Sequence, residues 1–261
     1  MTRWQLLDTG ARDGAWNMAC DVALMDRARR LGEAVFRVYA WQRPTLSFGR
    51  HEAARQHYDA AAISAAGVDL VRRPTGGRAL LHHHEVTYSI TAPLDERVPL
   101  TESVRHFNQL LLRALHLLGV PAVEAAEPRA MRPEGSACFA VPSAGELTLH
   151  GRKLVGSAQV RRDGALLQHG SILLDDDQGR IARFAVGPYL PSAPAASLRD
   201  ALGDQASYDA VRDALFRVVA ADAGARSPEE LVLSREAALP EAGALDDALA
   251  QFRDPEWTWR R

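Results

Sequence analysis

One lysine and two cysteines mark where this chain could do covalent chemistry. Lysine and arginine together number 31, and Lys153, in the run GRKLVGSAQ, is the only lysine. Arginine is a permanently charged planar fork. Lysine is a compact ammonium that titrates when buried and can point at a single oxygen or sulfur. A chain that uses arginine elsewhere and keeps one lysine among small residues marks a place where the fork would not serve. The plain alternative is a stray surface lysine in a codon-biased chain, but Gly151, Gly156, Ser157 and Ala158 suit close backbone approach to a ligand. Cys138 is the second candidate. Its thiolate, not its thiol, attacks, and a nearby ammonium lowers a thiol pKa from ~8.5. The same ammonium could stabilise the oxyanion formed when a thiolate adds to an acyl carbonyl. Cys138 follows a Pro/Gly-containing stretch, which favours a site residue over a buried structural thiol, whereas Cys20 falls inside a helical pattern and reads as a small core hydrophobe.

A second group surrounds Thr75-Gly76-Gly77. Two adjacent glycines alone are an ordinary hairpin turn. With Arg72 and Arg73 before them and His82 after, they become an anion- or carbonyl-binding loop whose backbone N–H groups can face an oxygen. The run His82-His83-His84-Glu85 invites a metal reading. On a strand, however, His82 and His84 would share one face, with His83 and Glu85 on the other, and two imidazoles without a third ligand make a weak zinc site. No metal and no cofactor is expected. The chain carries no G-x-S-x-G elbow, no Walker loop and no dinucleotide fingerprint after a strand.

The elements that would position these groups are legible from periodicity and turn residues. Residues 3–8 read as a strand, then a helix to Arg30 capped by Asn17, with Met18, Val22, Met25 and Ala28 on one face. Residues 34–41 and 45–50 read as strands around the Arg43-Pro44 turn, and 51–67 as one helix ended by Gly67. Residues 101–119 form the clearest amphipathic helix, with Val104, Phe107, Leu111, Ala114, Leu115 and Leu118 on its stripe. Residues 124–137, without periodicity, read as a mobile loop delivering Cys138. Three successive strands, 146–150, 152–162 and 165–174, indicate an antiparallel meander rather than a doubly wound sheet. After Asp175 the chain turns helical: Ser207 caps one helix, Ser227, Pro228 and Glu230 make a capping-box pattern, and the tryptophans of DPEWTWRR are expected to pack back on the body. Residues 1–205 are expected to form the catalytic core and 206–261 a helical part of the same domain.

Composition narrows the class. A hydrophobic fraction of 47% and a charged fraction of 25% are ordinary for a globular protein of 261 residues. A net charge of −2 argues against a nucleic-acid binder, which usually carries a basic face. The first residues lack the apolar run of a signal peptide, no stretch approaches the ~20 apolar residues that span a bilayer, and two cysteines make no disulfide framework. A cytoplasmic protein without membrane or nucleic-acid partners is expected.

Taken in order, RRPTGGRALLHHHEVTYS, CFAVPS, GRKLVGSAQVRR and LLQHGSILL resemble the biotin/lipoate protein ligase superfamily along most of the chain. Arg78, where ATP-dependent lipoate ligases usually have a third glycine, and Cys-Phe ahead of the GRK strand resemble the cysteine-dependent octanoyltransferases of lipoate synthesis. The chain departs from the family pattern at His83, where an aspartate is common, and in GRHEAA after TLSF. The resemblance implies an α+β fold, a largely antiparallel mixed sheet with flanking helices, and a tunnel for a medium acyl chain. It implies a monomeric enzyme that moves octanoate from octanoyl-acyl carrier protein to a lysine of a lipoyl-accepting domain, such as the glycine cleavage H protein or a 2-oxoacid dehydrogenase subunit. By the same resemblance, Cys138 is the acyl-thioester nucleophile and Lys153 lowers its pKa and fixes the carbonyl. Arg72, Gly76, Gly77 and His82 line the acyl pocket, Gly156, Ser157 and Ala158 lie opposite, and His169 and Gly170 close it. Two alternatives stay open: an ATP-dependent lipoate-protein ligase, which needs no cysteine, and a non-catalytic acyl-binding module.

Overall fold

A left-handed glycine and an aspartate cap define the first helix. The computed structural model describes residues 3–125, 146–187, 194–234 and 242–260. Strand β1 (Arg3–Arg12) leads into α1 (Gly14–Leu31), which Gly32 ends at φ 69°. The N-cap is Asp13, whose carboxylate accepts from Trp16 N at 2.8 Å. Asn17 instead lies inside the helix, buried, and its amide donates to the carbonyls of Arg12 and Ala40. The expected cap is therefore one turn too late. Either Asx residue could cap, and Asn17 is needed to tie the helix to the ends of two strands.

Strands β2 (Glu33–Trp41) and β3 (Thr45–Phe48) follow, and the helix expected over 51–67 splits into α2 (Ala54–His57) and α3 (Ala60–Ala65). Tyr58 is extended between them and bridges Ala185, while Asp59 caps α3 by accepting from Ala61 N and Ala62 N. Next come β4 (Asp69–Arg72), β5 (Leu80–His82), β6 (Glu85–Pro93), α4 (Leu100–Leu117) and β7 (Val123–Glu124). Cys138 and residues 126–137 of the stretch expected to deliver it lie outside the described residues. The meander forms as expected: β8 (Leu147–Leu149), β9 (Arg152–Arg162) and β10 (Ala165–Leu173). A 3-10 segment (Gln178–Phe184), α5 (Leu198–Leu202), α6 (Tyr208–Asp222), α7 (Ala242–Arg253) and α8 (Pro255–Trp259) complete the described chain.

The strands build two sheets. A seven-stranded sheet has the order β1-β2-β6-β10-β9-β8-β7, with only the β1–β2 pair parallel. A three-stranded sheet, β4-β3-β5, stands apart. One face of the large sheet (Phe36, Val38, Tyr88, Ile90, Ile172) packs under α4 and α6 through Leu111, Leu115, Leu215 and Val219. The other face lies under α1, where Cys20 and Leu24 meet Leu7 and Val35, and Met25 and Ala28 meet Ala165 and Leu167. Cys20 is core, as expected, and burial pushes its thiol up to about 11, which makes it a poor nucleophile.

Ser207 caps α6 by accepting from Ala210 N. The capping box expected at Ser227 does not form: residues 228–230 make a 3-10 turn, and Glu230 accepts from Arg226 N instead. The following residues bond to the first strand, with Leu6 N donating to Leu231 O and Leu233 N to Leu6 O, both at 2.8 Å. The tail packs back as expected. Trp257 Nε1 donates to Arg72 O at 3.0 Å, and Trp259 lies on Phe48.

Candidate active site

Strand alternation puts Lys153 on the wrong side, and a β-bulge corrects it. Counting back from Gly156 along β9, simple alternation would turn Lys153 away with Ser157. The β8–β9 register shifts between Leu147, paired with Val155, and Thr148, paired with Lys153, so β9 carries one extra residue there. Leu154 and Val155 accordingly both enter the core cluster under α4 and α6, together with Leu147 and Leu149. Lys153 turns to the opposite face, which it shares with Gly156 and Ala158. Lys153 is 2% exposed, and its ammonium donates to Glu146 Oε1 at 2.6 Å, just ahead of β8.

On the adjacent strand β10, His169 pairs with Ala158 on one side and Ser89 on the other, so it looks to the same face. Its Nδ1 lies 3.1 Å from Asp21 Oδ2 and its Nε2 2.6 Å from the Thr75 hydroxyl. Asp21, on α1, also pairs with Arg37 at 2.6 Å, both side chains fully buried, and accepts from Ser89. Burial alone would raise the Asp21 carboxyl; the Arg37 guanidinium and the hydrogen bonds from His169 and Ser89 outweigh it and hold it below the usual carboxylate range. The ionised carboxylate thus fixes His169, and His169 fixes the glycine loop through Thr75.

A second relay runs beneath that loop. Arg73 donates to Gly76 O and Arg78 O, and also to Ser47 Oγ at 2.9 Å. The Glu85 carboxylate can only accept, so His82 Nδ1–H donates to it at 2.8 Å, and in the neutral ring Nε2 accepts from the Ser47 hydroxyl at 2.8 Å. His82 is a neutral imidazole stacked on Trp41 at 3.9 Å, and burial holds its pKa down against the attraction of Glu85. Burial would raise Glu85, but the His82 ring and the hydroxyls of Thr87 and Ser171 bring its carboxyl below the usual range. The Ser47–His82–Glu85 order is not a hydrolytic triad, because Ser47 is fully buried. The expectation that Glu85 and His82 lie on opposite faces fails because β5 ends at His82 and β6 begins at Glu85, so the pair spans a turn rather than one strand.

Close approach explains two glycines. Gly77 sits at φ 101°, and a Cβ on Gly49 would lie 1.9 Å from Gly77 O. A Cβ on Gly170 would meet Gly156 O at 2.5 Å and the Tyr88 ring at 2.7 Å. On the face of β9 and β10 that Lys153 shares with Gly156, Ala158, His169 and Ser171, the glycine loop is tied to His169 through Thr75, and Ser171 Oγ lies 3.4 Å from His82 Nδ1. Three expected residues point elsewhere, Gly170 among them, since its missing Cβ would face the Tyr88 ring and the Ser157 hydroxyl. The Ser157 hydroxyl bonds Tyr88 Oη at 2.6 Å on the face under α4 and α6. The fully buried Arg72 guanidinium donates to Gly49 O, Glu52 O, Thr258 O and Arg260 O, joining the tail to the turn beside the glycine loop, and it is Arg73 that reaches the loop itself. Asp21 and Arg37 escaped sequence reasoning, while Thr75 and Glu85 were read only as neighbours in the glycine loop and the histidine run. Only the Asp and Arg at positions that periodicity assigns to buried faces could have signalled the Asp21–Arg37 pair.

Comparison with known proteins concerns the chain as a whole. Residues 13–220 match the family model "Lipoyl protein ligase A/B catalytic domain". A curated octanoyltransferase LipM of Kyrpidia tusciae is 41% identical, with 100% of both chains covered. One of Symbiobacterium thermophilum is also 41% identical, covering 82% of this chain and 84% of its own. Among solved structures, a lipoate-protein ligase A bound with ATP superposes with a TM-score of 0.77 at 21% identity, covering 99% of this chain and 98% of its own. A bipartite lipoate protein ligase of Thermoplasma acidophilum gives 0.77 at 19%, with 99% and 97% covered. At that identity the two structures speak for the fold alone, and that fold is the expected α+β arrangement of mixed sheets with flanking helices.

Proposed function

Because the chain belongs to the lipoyl protein ligase A/B catalytic-domain family, we propose that it is an octanoyltransferase of lipoate biosynthesis. The observation that carries this reading is end-to-end likeness to curated octanoyltransferases. Octanoyl-acyl carrier protein is the donor, and the acceptor is a lysine on a lipoyl-accepting domain such as the glycine cleavage H protein or a 2-oxoacid dehydrogenase subunit.

The Cys138 thiolate adds to the donor's thioester carbonyl, and the tetrahedral oxyanion collapses by expelling the carrier thiolate, which takes up a proton. The acceptor's neutral lysine amine then attacks the Cys138 acyl-thioester. An amide forms, the Cys138 thiolate leaves, and the amine proton is lost to solvent. Lys153 supplies the positive charge that favours the Cys138 thiolate and both oxyanions. Its burial supports that role, since an ammonium out of water acts more strongly than one in it. Gly76, Gly77, His82, Gly156, Ala158, His169 and Gly170 form the walls of the acyl pocket. Arg72 and the backbone of Ser157 support those walls. Apolar burial at ~0.8 kcal/mol per CH₂ lets such a pocket select chain length.

The test is a mass spectrum of the protein mixed with octanoyl-acyl carrier protein in the absence of ATP. A hydroxylamine-labile mass gain on Cys138, passed on to an added lipoyl domain, is expected. No gain without ATP, with turnover once ATP and free octanoate are supplied, means a ligase. A ligand that dissociates without a covalent adduct means a binding module.

A further inference from the structure

We propose that His83, His84 and Asp177 form a binding site for a divalent transition-metal ion of the zinc class. One ligand atom from each of the three lies within 4.8 Å of the others. Ligands ~2.0–2.1 Å from a tetrahedral ion sit roughly 3.3 Å apart, so side-chain rotation suffices to close the set. Two imidazole nitrogens and one carboxylate oxygen suit zinc, cobalt or nickel, with the remaining position open to water.

Sequence periodicity argued against a metal here for want of a third ligand, and the fold supplies it from far along the chain. His83 and His84 make the turn between β5 and β6. Asp177 precedes the 3-10 segment, and its Oδ2 lies 2.8 Å from His83 Nδ1. The two loops are pinned together by backbone ties. The buried Gln178 amide donates to Leu81 O at 2.6 Å and accepts from Leu81 N at 3.1 Å, and the N–H groups of Leu174 and Asp175 donate to His84 O. The ligands are thus held close before an ion arrives, which lowers the ordering cost of binding. A cation is already drawn to the spot: Arg180 Nη1 lies 3.1 Å from Asp177 Oδ2 and 3.5 Å from His83 Nδ1. That guanidinium is partly exposed and competes with a bound ion. Ligation by the neutral His83 ring through Nδ1 uses the tautomer whose proton sits on Nε2, and it turns Arg180 outward. The ion would staple the turn that carries His82 and Glu85 to the 3-10 segment.

The test titrates Co²⁺ into untagged, chelator-stripped full-length protein and follows the visible d–d absorption, with Zn²⁺ as competitor. A single saturating equivalent, bleached by Zn²⁺, is expected. His83→Ala and Asp177→Asn lose the band, His84→Ala weakens it, and His106→Ala, on the exposed side of α4, keeps it. Arg180→Gln removes the competing charge and lowers the Co²⁺ concentration at half-saturation. The proposal fails if wild type shows no saturable band, if Asp177→Asn retains it with normal circular dichroism, or if Arg180→Gln leaves affinity unchanged or weakens it. None of these readouts involves acyl transfer, so they stand apart from the proposed activity.

Discussion

Lys153 is where charge, burial and shape act together. If its ammonium favours the Cys138 thiolate and meets the acyl oxygen, Lys153→Arg should be nearly as damaging as Lys153→Ala, because the longer fork places its charge elsewhere and fills space beside Gly156. Loss of an oxyanion partner typically costs ~10²–10³ in rate. Acyl-enzyme formation measured against pH should show that loss in both variants, with a raised thiol titration in Lys153→Ala; unchanged rates would remove Lys153 from the mechanism. Cys138→Ala should abolish acylation while Cys20→Ala, at a buried thiol pushed up to about 11, should not. His82 makes a pH prediction for stability. Burial lowers its pKa from 6.5 in the fold, so as pH falls past 6.5 the unfolded chain takes a proton that the folded one resists. Stability therefore declines below 6.5 until the folded pKa is reached. Urea midpoints between about pH 8 and about pH 5 should lose part of that slope in His82→Gln; an identical slope would mean that His82 is not the group responsible.

At the level of elements, α1 is fastened to the sheet by an ion pair with no access to water. Asp21 and Arg37 are both fully buried, so Asp21→Asn leaves a buried guanidinium short of its counter-charge. Breaking one partner of such a pair costs about 3–5 kcal/mol, and the same change loosens His169 and, through it, Thr75. Equilibrium urea unfolding should show the loss; a change under about 1 kcal/mol would mean that water or a neighbour compensates. Because the folded Asp21 carboxyl lies below its ordinary 3.8, this contribution is intact above that value and is lost as pH falls through the folded pKa. The bulge in β9 matters as much as the pair. It lets one strand send Leu154 and Val155 into the core while turning Lys153 and Gly156 to the opposite face, that of His169.

Across the whole molecule, the C-terminal segment is bound into the body at several places. Tyr208 Oη donates to Asp8, Leu231 and Leu233 bond Leu6, Phe252 joins Met18 and Tyr39 in one cluster, and α8 docks on Arg72. We propose that residues 206–261 unfold with residues 1–205 as one unit, so calorimetry should give a single transition; two separable transitions would divide the chain. Ending the chain after Asp254 would strip Arg72 of the Thr258 and Arg260 carbonyls and uncover Phe48 where Trp259 packs. A lower urea midpoint and faster proteolysis around residues 49–57 are expected, and neither would follow if the tail were a loose appendage. No helix among the described residues is long and apolar enough to cross a membrane.

By itself, the sequence determined what local physics can determine. The meander, the two longest amphipathic helices after residue 100, the glycine loop between strands and the isolated lysine all rest on period, turn residues and composition, which act over a few neighbouring positions. Tertiary structure decided the rest. Asp13 or Asn17 could each cap α1, and only the need of Arg37 and Ala40 for Asn17 settled which one did. The face of Lys153 depended on one inserted residue whose partner strand lies across a turn, and strand alternation carries no trace of it. His169 finds Asp21 148 residues away, and His83 finds Asp177 94 residues away. The buried Asp21 carboxylate is tolerable only where a counter-charge and hydrogen-bond donors surround it, and that condition is set by where the folded elements meet.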